Sequence, residues 1–317
     1  MIGKYSAYDI FLIKTKTNLH VGTGKGGEIV DLPIQRDSYG FPTIYSSSLK
    51  GAIKSYIHFK DGNKIAELLF GSDESGEFAS TVALTDAYLL AFPARSLKGV
   101  YCYLTSPLLL RRFKEYADMV KYKLDEKIEN LIKEGKTNVC DQIDAISIES
   151  DNKKIVVINE ELILENLNKN DKVGELKKAL DLDKELIIIE DDDALQQAER
   201  SLIRLTRVKL NRSSKTVESG RSPWTEEYAP PKTIFFTTVF YSKPPASLLA
   251  KYKENEKIFE KFKIKNIEEI NEIKIREYLS ENLRFLIIGG HETIGSGIVE
   301  FKSLTKKVEQ TEEKKYT

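Results

Sequence analysis

Cysteine, histidine and net charge are what this 317-residue chain lacks. Two cysteines, Cys102 and Cys140, without CxxC spacing cannot build a disulfide framework, and three histidines, His20, His58 and His291, cannot build a His-rich zinc centre. A reducing, cytoplasmic home is therefore the expectation, with both cysteines serving as small buried hydrophobes. No run of eighteen apolar residues occurs, and charged residues interrupt the apolar stretch of the opening MIGKYSAYDIFLIK. Neither a membrane span nor a signal peptide is expected. Lys and Arg total 49 against 49 Asp and Glu, so no global field draws the chain to nucleic acid or membrane.

What is present is the composition of a folded protein, 41% hydrophobic and 31% charged, which excludes disordered and fibrous classes. The length suits one elaborated domain or two small ones. Residues 8–17, YDIFLIKTKT, read as a half-buried strand, with Ile13, Thr15 and Thr17 on one face and Lys14 and Lys16 on the other. LHVGTGKGGEIVD follows, with Gly22, Gly24, Gly26 and Gly27 in six residues, and reads as a loop. SSSLKGAIKSYIHF then carries Leu49, Ile53, Tyr56 and Ile57 at helical spacing, with Ser46 to Ser48 as candidate N-caps. TVALTDAYLLAFPA and GVYCYLT predict two strands, and Pro107 to about Lys136 predicts a charged helix. Residues 137–200 mix strand candidates (KIVVI, ELIII) with acidic clusters, and a helix is expected from Ala194 to about Leu205. RVKLNRSSKTVESGRSPWTEEYAPPK lacks apolar periodicity and reads as a long loop or a projecting hairpin. TIFFTTVFY is a strand, 246–281 is helical, and RFLIIGGHETIGSGIVEFKSL is a strand, a glycine turn and a strand. This order fits an α+β fold of βαββαβ type.

The glycine loop is neither a dinucleotide fingerprint nor a P-loop: its spacing breaks GxGxxG, no helix follows directly, and no GK[ST] stands at the right distance. It offers backbone N–H groups and Lys25 near a helix start, which suits an anion such as phosphate; a plain surface turn explains the composition equally well. Asp31 ends the loop. Proton transfer, metal binding or a solvated turn carboxylate would each account for it, and His20 is a second proton-transfer candidate. Between Arg200 and Arg221 stand seven basic residues, among them Arg207, Lys209 and Arg212, against Glu218 alone, an excess of six positive charges suited to phosphate contacts. No RNP1 string, HExxH, GxSxG or kinase signature occurs.

LHVGTGKGGEIVDLPIQRDSYGFPTIYSSSLKGAIKSY, FGSDESG, TDAYLLAFPARSLKGVYCYLTSPLLLRRF and LIIGGHETIGSGIVE closely resemble the repeated backbone subunits of type III-B (Cmr) CRISPR effector complexes, a family of the RAMP superfamily. The resemblance covers both ends of the chain and little of 114–200. It implies a ferredoxin-like core (1–113 with 232–305), a helical and mixed insertion (114–200), a basic β-hairpin thumb (201–231) and a polar tail (306–317). It implies copies stacked head to tail along a guide RNA (crRNA), joined to other Cmr subunits, that cut complementary target RNA at regular intervals with a divalent metal ion such as Mg2+ or Mn2+. The catalytic role falls on Asp31, with His20 a candidate helper; guide-phosphate contact falls on Ser47, Ser48 and Lys50, and Gly289, Gly290, Gly295 and Gly297 form a turn near the RNA groove. The resemblance carries the thumb as an element and not its individual contacts, and Lys54 with Arg207, Lys209 and Arg212 of the basic segment are the further RNA-binding candidates. The family's products imply attack by the RNA's own 2′-hydroxyl on the adjacent phosphate. The competing expectation is a scaffold subunit, of this type or the related type III-A, that binds RNA without cutting it.

Overall fold

A computed structural model describes residues 2–24, 26–27, 30–72, 79–150, 152–209, 213 and 223–305. Its principal elements are β1 (Ala7–Thr15), α1 (Ser46–Asp61), α2 (Asn63–Phe70), β2 (Ala87–Ser96), β3 (Val100–Thr105), α3 (Pro107–Met119), β4 (Leu186–Ile188), α4 (Asp191–Ser201), β5 (Ile203–Arg207), β6 (Trp224–Tyr228), β7 (Ile234–Tyr241), α5 (Glu272–Asn282), β8 (Phe285–Ile287) and β9 (Ile298–Ser303). The fold is α+β. One large sheet runs in the spatial order β4–β3–β2–β7–β1–β9–β8, and Val139–Cys140 and Asn168–Lys169 extend it beyond β4. All neighbours along that path are antiparallel except β3 and β4, which run parallel.

The sequence predicts a half-buried first strand, but the structure places β1 between β7 and β9 with both faces covered. Successive side chains of a strand point to opposite faces. Phe11 and Ile13 therefore enter one core with Leu49, Ile53 and Ile57 of α1, while Ile10 and Leu12 enter a second core with Leu110 and Phe113 of α3. Each such side chain, fully buried, stabilises the fold by about 1.5–3 kcal/mol. Lys16, at the strand's end, pairs with Glu300.

Two long predicted helices are divided. The expected Pro107–Lys136 helix starts as read, with Pro107 in its first turn and the Ser106 hydroxyl accepting from the Leu109 N–H at 3.5 Å, but it stops at Met119. Lys121 takes a left-handed φ of 57°, and Asp125 caps a new helix, Glu126–Glu134, by accepting from the Lys127 N–H at 2.8 Å. Likewise 246–281 is divided into three α-helices and a single 3-10 turn, Ile267–Glu269, with Asn255 and Asn271 as side-chain caps at the starts of the second and third α-helices. Short polar caps override helical spacing because they satisfy N–H groups that a new helix would leave bare.

Residues 137–200 do not stand apart from the sheet, since β4 continues it from β3. In the basic segment, where the sequence left a loop and a hairpin open, β5 and β6 form a separate antiparallel pair from Ile203↔Tyr228 to Arg207↔Trp224. Arg212, Lys215, Arg221 and the 306–317 tail lie outside the described residues.

Candidate functional site

The exposed Asp31 is clasped to β6. Its Oδ2 accepts from the Thr225 N–H at 2.7 Å, the Leu32 N–H donates to the Thr225 carbonyl at 3.0 Å, and the Glu227 N–H donates to the Leu32 carbonyl at 3.1 Å. The residues after the glycine loop thus run along β6 in strand-like register. One carboxylate oxygen is committed to the backbone, which fixes the side chain's direction; the other has room for a proton or an incoming ligand. The sequence leaves Asp31 as catalyst or turn residue, and no spacing signal in it points to Thr225, 194 residues away.

Beneath Asp31, β6 carries two consecutive glutamates that the sequence reading did not single out. Glu226 is 2% exposed. Its carboxylate receives the Arg207 Nε at 3.1 Å, the Trp224 indole N–H at 2.7 Å and the Tyr228 hydroxyl, and the His291 Nε2 stands 3.5 Å away. Glu227, 1% exposed, lies 2.9 Å from Arg36 Nη1 and 3.1 Å from Arg204 Nη2, and it accepts from the Ile34 N–H. Burial raises the pKa of both carboxyls, but the donors outweigh it: Tyr228 and Trp224 for Glu226, and Arg36 above all for Glu227, leave both below the ordinary glutamate value.

These pairs change the reading of the basic segment. Arg200 pairs with Glu161, Arg204 with Glu199 and Glu227, and Arg207 with Glu226, so the excess of six positive charges along the sequence is partly neutralised in space. A local charge count misses partners that the fold supplies from elsewhere. Lys209 is described and exposed at the end of β5's continuation.

His20 is 7% exposed and packs beneath the glycine loop. Its Nδ1 lies 2.7 Å from the Glu227 carbonyl, an acceptor only, so Nδ1 carries the hydrogen. Nε2 turns toward Gly22, where any Cβ would come within 2.9 Å of it, which is why that position is glycine. The ring also lies against Tyr228 and His291, with centroids 5.4 and 5.1 Å away. Gly289 and Gly290 clasp the same residue from the other side, the Gly290 N–H donating to the His20 carbonyl at 2.9 Å.

The start of α1 adjoins this assembly through Gln35, which donates to the Gly22 carbonyl and the Ser48 hydroxyl, both at 3.1 Å, and accepts from the Tyr45 N–H at 2.7 Å. The serines are not N-caps. Tyr45 holds that position, and Asp86 accepts from the Ser46 N–H at 2.7 Å in their place. Ser47 is exposed in the first turn and Lys50 half-buried in the next. Lys54 donates to the Gly71 carbonyl at the end of α2, at 2.7 Å. Lys25 lies outside the described residues. A groove of about 790 Å³ opens between α1 and the second glycine turn, lined by Ser48, Gly51, Ser55, Phe59, Phe285 and Gly289 among others.

Among the described residues no group of three or more His, Cys, Asp or Glu side chains is placed to hold a metal ion. Asp31, with one oxygen engaged, supplies a single ligand. These residues do not form a protein-built metal cage.

The chain belongs to the RAMP superfamily, whose family model matches residues 12–300. Its relatives narrow that to the Cmr4 family: it is 33% identical over 335 residues to the CRISPR system CMR subunit Cmr4 of Saccharolobus solfataricus, covering 95% of this chain and 97% of that protein. To the CRISPR system Cmr endoribonuclease Cmr4 of Pyrococcus furiosus it is 33% identical over 304 residues, covering 90% and 92%. Among solved structures, a chain of the type III-B Cmr-beta complex bound to cognate target RNA superposes with a TM-score of 0.74 at 32% identity, covering 96% of this chain and 99% of that one. Oligomeric Cmr4 from Pyrococcus furiosus gives 0.59 at 25%, covering 94% and 98%.

Proposed function

We propose that this chain is a guide-RNA-binding backbone subunit of a type III-B CRISPR effector, stacked on copies of itself and on other Cmr subunits, and that it cleaves complementary target RNA at Asp31. Kinship with an endoribonuclease Cmr4 and with a target-bound Cmr complex supports the activity. The observation that carries the residue is the clasp: an exposed carboxylate whose Oδ2 is fixed by the Thr225 N–H, leaving Oδ1 to meet substrate.

In this reading the core is the ferredoxin-like palm (1–113 with 232–305), 114–200 is its insertion, and β5 and β6 are the root of a thumb (201–231). Ser47, Ser48, Lys50, Lys54, Gly289 and Gly290 flank the guide, with Arg207, Lys209 and Arg212 on the thumb. Asp31 removes the proton from the target's 2′-hydroxyl as that oxygen bonds to the adjacent phosphorus; the bond from phosphorus to the next nucleotide's 5′-oxygen breaks, that oxygen takes a proton from water, and a 2′,3′-cyclic phosphate remains. RNA is selected over DNA because only RNA carries that hydroxyl. His20, shut beneath the loop, holds Gly22 and the second glycine turn in place instead of reaching substrate. A divalent ion, Mg2+ or Mn2+, would have to draw most of its ligands from RNA phosphate and water.

The test is a reconstituted complex with labelled complementary RNA. Asp31→Asn keeps the acceptor for the Thr225 N–H and removes the base, so cleavage should fall by roughly 10²–10⁴-fold with target affinity retained. Bound target that stays uncut in the unaltered complex would instead establish the scaffold reading.

A further inference from the structure

Two loops meet on one short strand. The Asp31 loop hangs on the backbone of β6 through the Thr225 N–H, and the second glycine turn reaches the next residue, Glu226, through His291. His291 sits at φ +65°, in the left-handed region that non-glycine residues rarely adopt. Its backbone is held there by the turn, because its carbonyl accepts from the Ile294 N–H at 3.1 Å and the Ser296 N–H at 3.3 Å. The side chain is aimed inward, with Nε2 3.5 Å from Glu226 Oε1 and the ring 5.1 Å from His20 and 6.0 Å from Tyr228. Glu226 is a rigid anchor for it, being buried and already gripped by Arg207, Trp224 and Tyr228.

We propose that His291 is a positioning residue for cleavage: through Glu226 it ties the turn bearing Gly289 and Gly290 to the strand that aims the Asp31 carboxylate. This rests on the assignment of Asp31 as the cleaving residue. Nucleic acid seated along the groove presses on the glycine turn, and the His291–Glu226 contact carries that registration to Thr225, one residue from Glu226. Misplacement by a fraction of an ångström at the attacking oxygen slows an in-line reaction without weakening the binding of a long duplex.

The test uses the assembled, guide-loaded complex and measures single-turnover cleavage separately from target dissociation. His291→Asn retains a residue tolerant of left-handed backbone but too short to reach Glu226, whereas His291→Gln restores a donor of similar reach. The expected result is a roughly tenfold slower cut in His291→Asn with target affinity within about twofold, and recovery of most of the rate in His291→Gln. Wild-type cleavage by His291→Asn, parallel loss of affinity and rate, or a glutamine variant no better than asparagine would each overturn the proposal. Asp31→Asn in the same assay separates the two claims: if it cuts normally the assignment of Asp31 fails, and if it is dead while His291→Asn is unimpaired only the positioning role fails.

Discussion

The two glycine-rich segments, 22–27 and 289–297, look alike as sequence, and each holds glycines of two kinds. In the second, Gly289 has φ +83° and a Cβ there would lie 2.1 Å from the His20 carbonyl oxygen, so glycine is demanded by another stretch of backbone passing through that space. In the first, Gly24 has a similar φ of +75° and nothing within 4 Å of where its Cβ would stand. One glycine answers to packing and the other to backbone conformation alone. A run of glycines near a site is therefore not one signal, and the neighbour across the turn decides which kind it is.

The comparison breaks most readily at Gly289. Gly289→Ala should cost more than about 3 kcal/mol, since the His20 carbonyl cannot move without losing the Gly290 N–H, and thermal unfolding that shifts by only a degree or two would refute the packing account. A smaller effect is expected at Glu227, whose carbonyl holds the His20 ring from the opposite side. Its carboxyl is held below the ordinary value of 4.5 by Arg36 despite burial, so its contribution is complete above that value and is lost as pH falls through the lower folded pKa. Hydrogen exchange at β5 and β6 should accelerate as pH falls below the ordinary glutamate value, before the central sheet responds, and simultaneous loss of both would count against it. The smallest effect is Gly24→Ala, about 1 kcal/mol of backbone strain by denaturant midpoint, with no change at His20. A cost equal to that of Gly289→Ala would erase the distinction.

The elements dominated by local chemistry were legible in the sequence. TIFFTTVFY, AYLLAFPA and the Leu49–Ile53–Ile57 spacing each led to the strand or helix observed. Lys14 and Lys16 misled about β1 because they lie toward its end, while its middle is covered on both sides by segments distant in sequence. Asp31 stood out as a carboxylate closing a glycine loop. Glu226 and Glu227 did not, because in WTEEYAP they look like surface charge, and their partners Arg36, Arg204, Arg207 and His291 come from three other places in the chain. Paired charges are invisible to periodicity, which registers only apolar alternation.

The position of β1 in the sheet has a consequence for synthesis. Its flanking partners arrive late: β7 from the last third of the chain and β9 almost at its end, where Ser303 meets Asp9 across 294 residues. Until β9 leaves the ribosome, β1 keeps an unpaired edge, while α1 and α3, which precede β9 in the chain, supply the cover for its two faces, and loop closure over such a span is slow. The nascent chain therefore carries a strand with an unpaired edge through most of its translation, which makes prompt cover of its faces by α1 and α3 a condition of its yield.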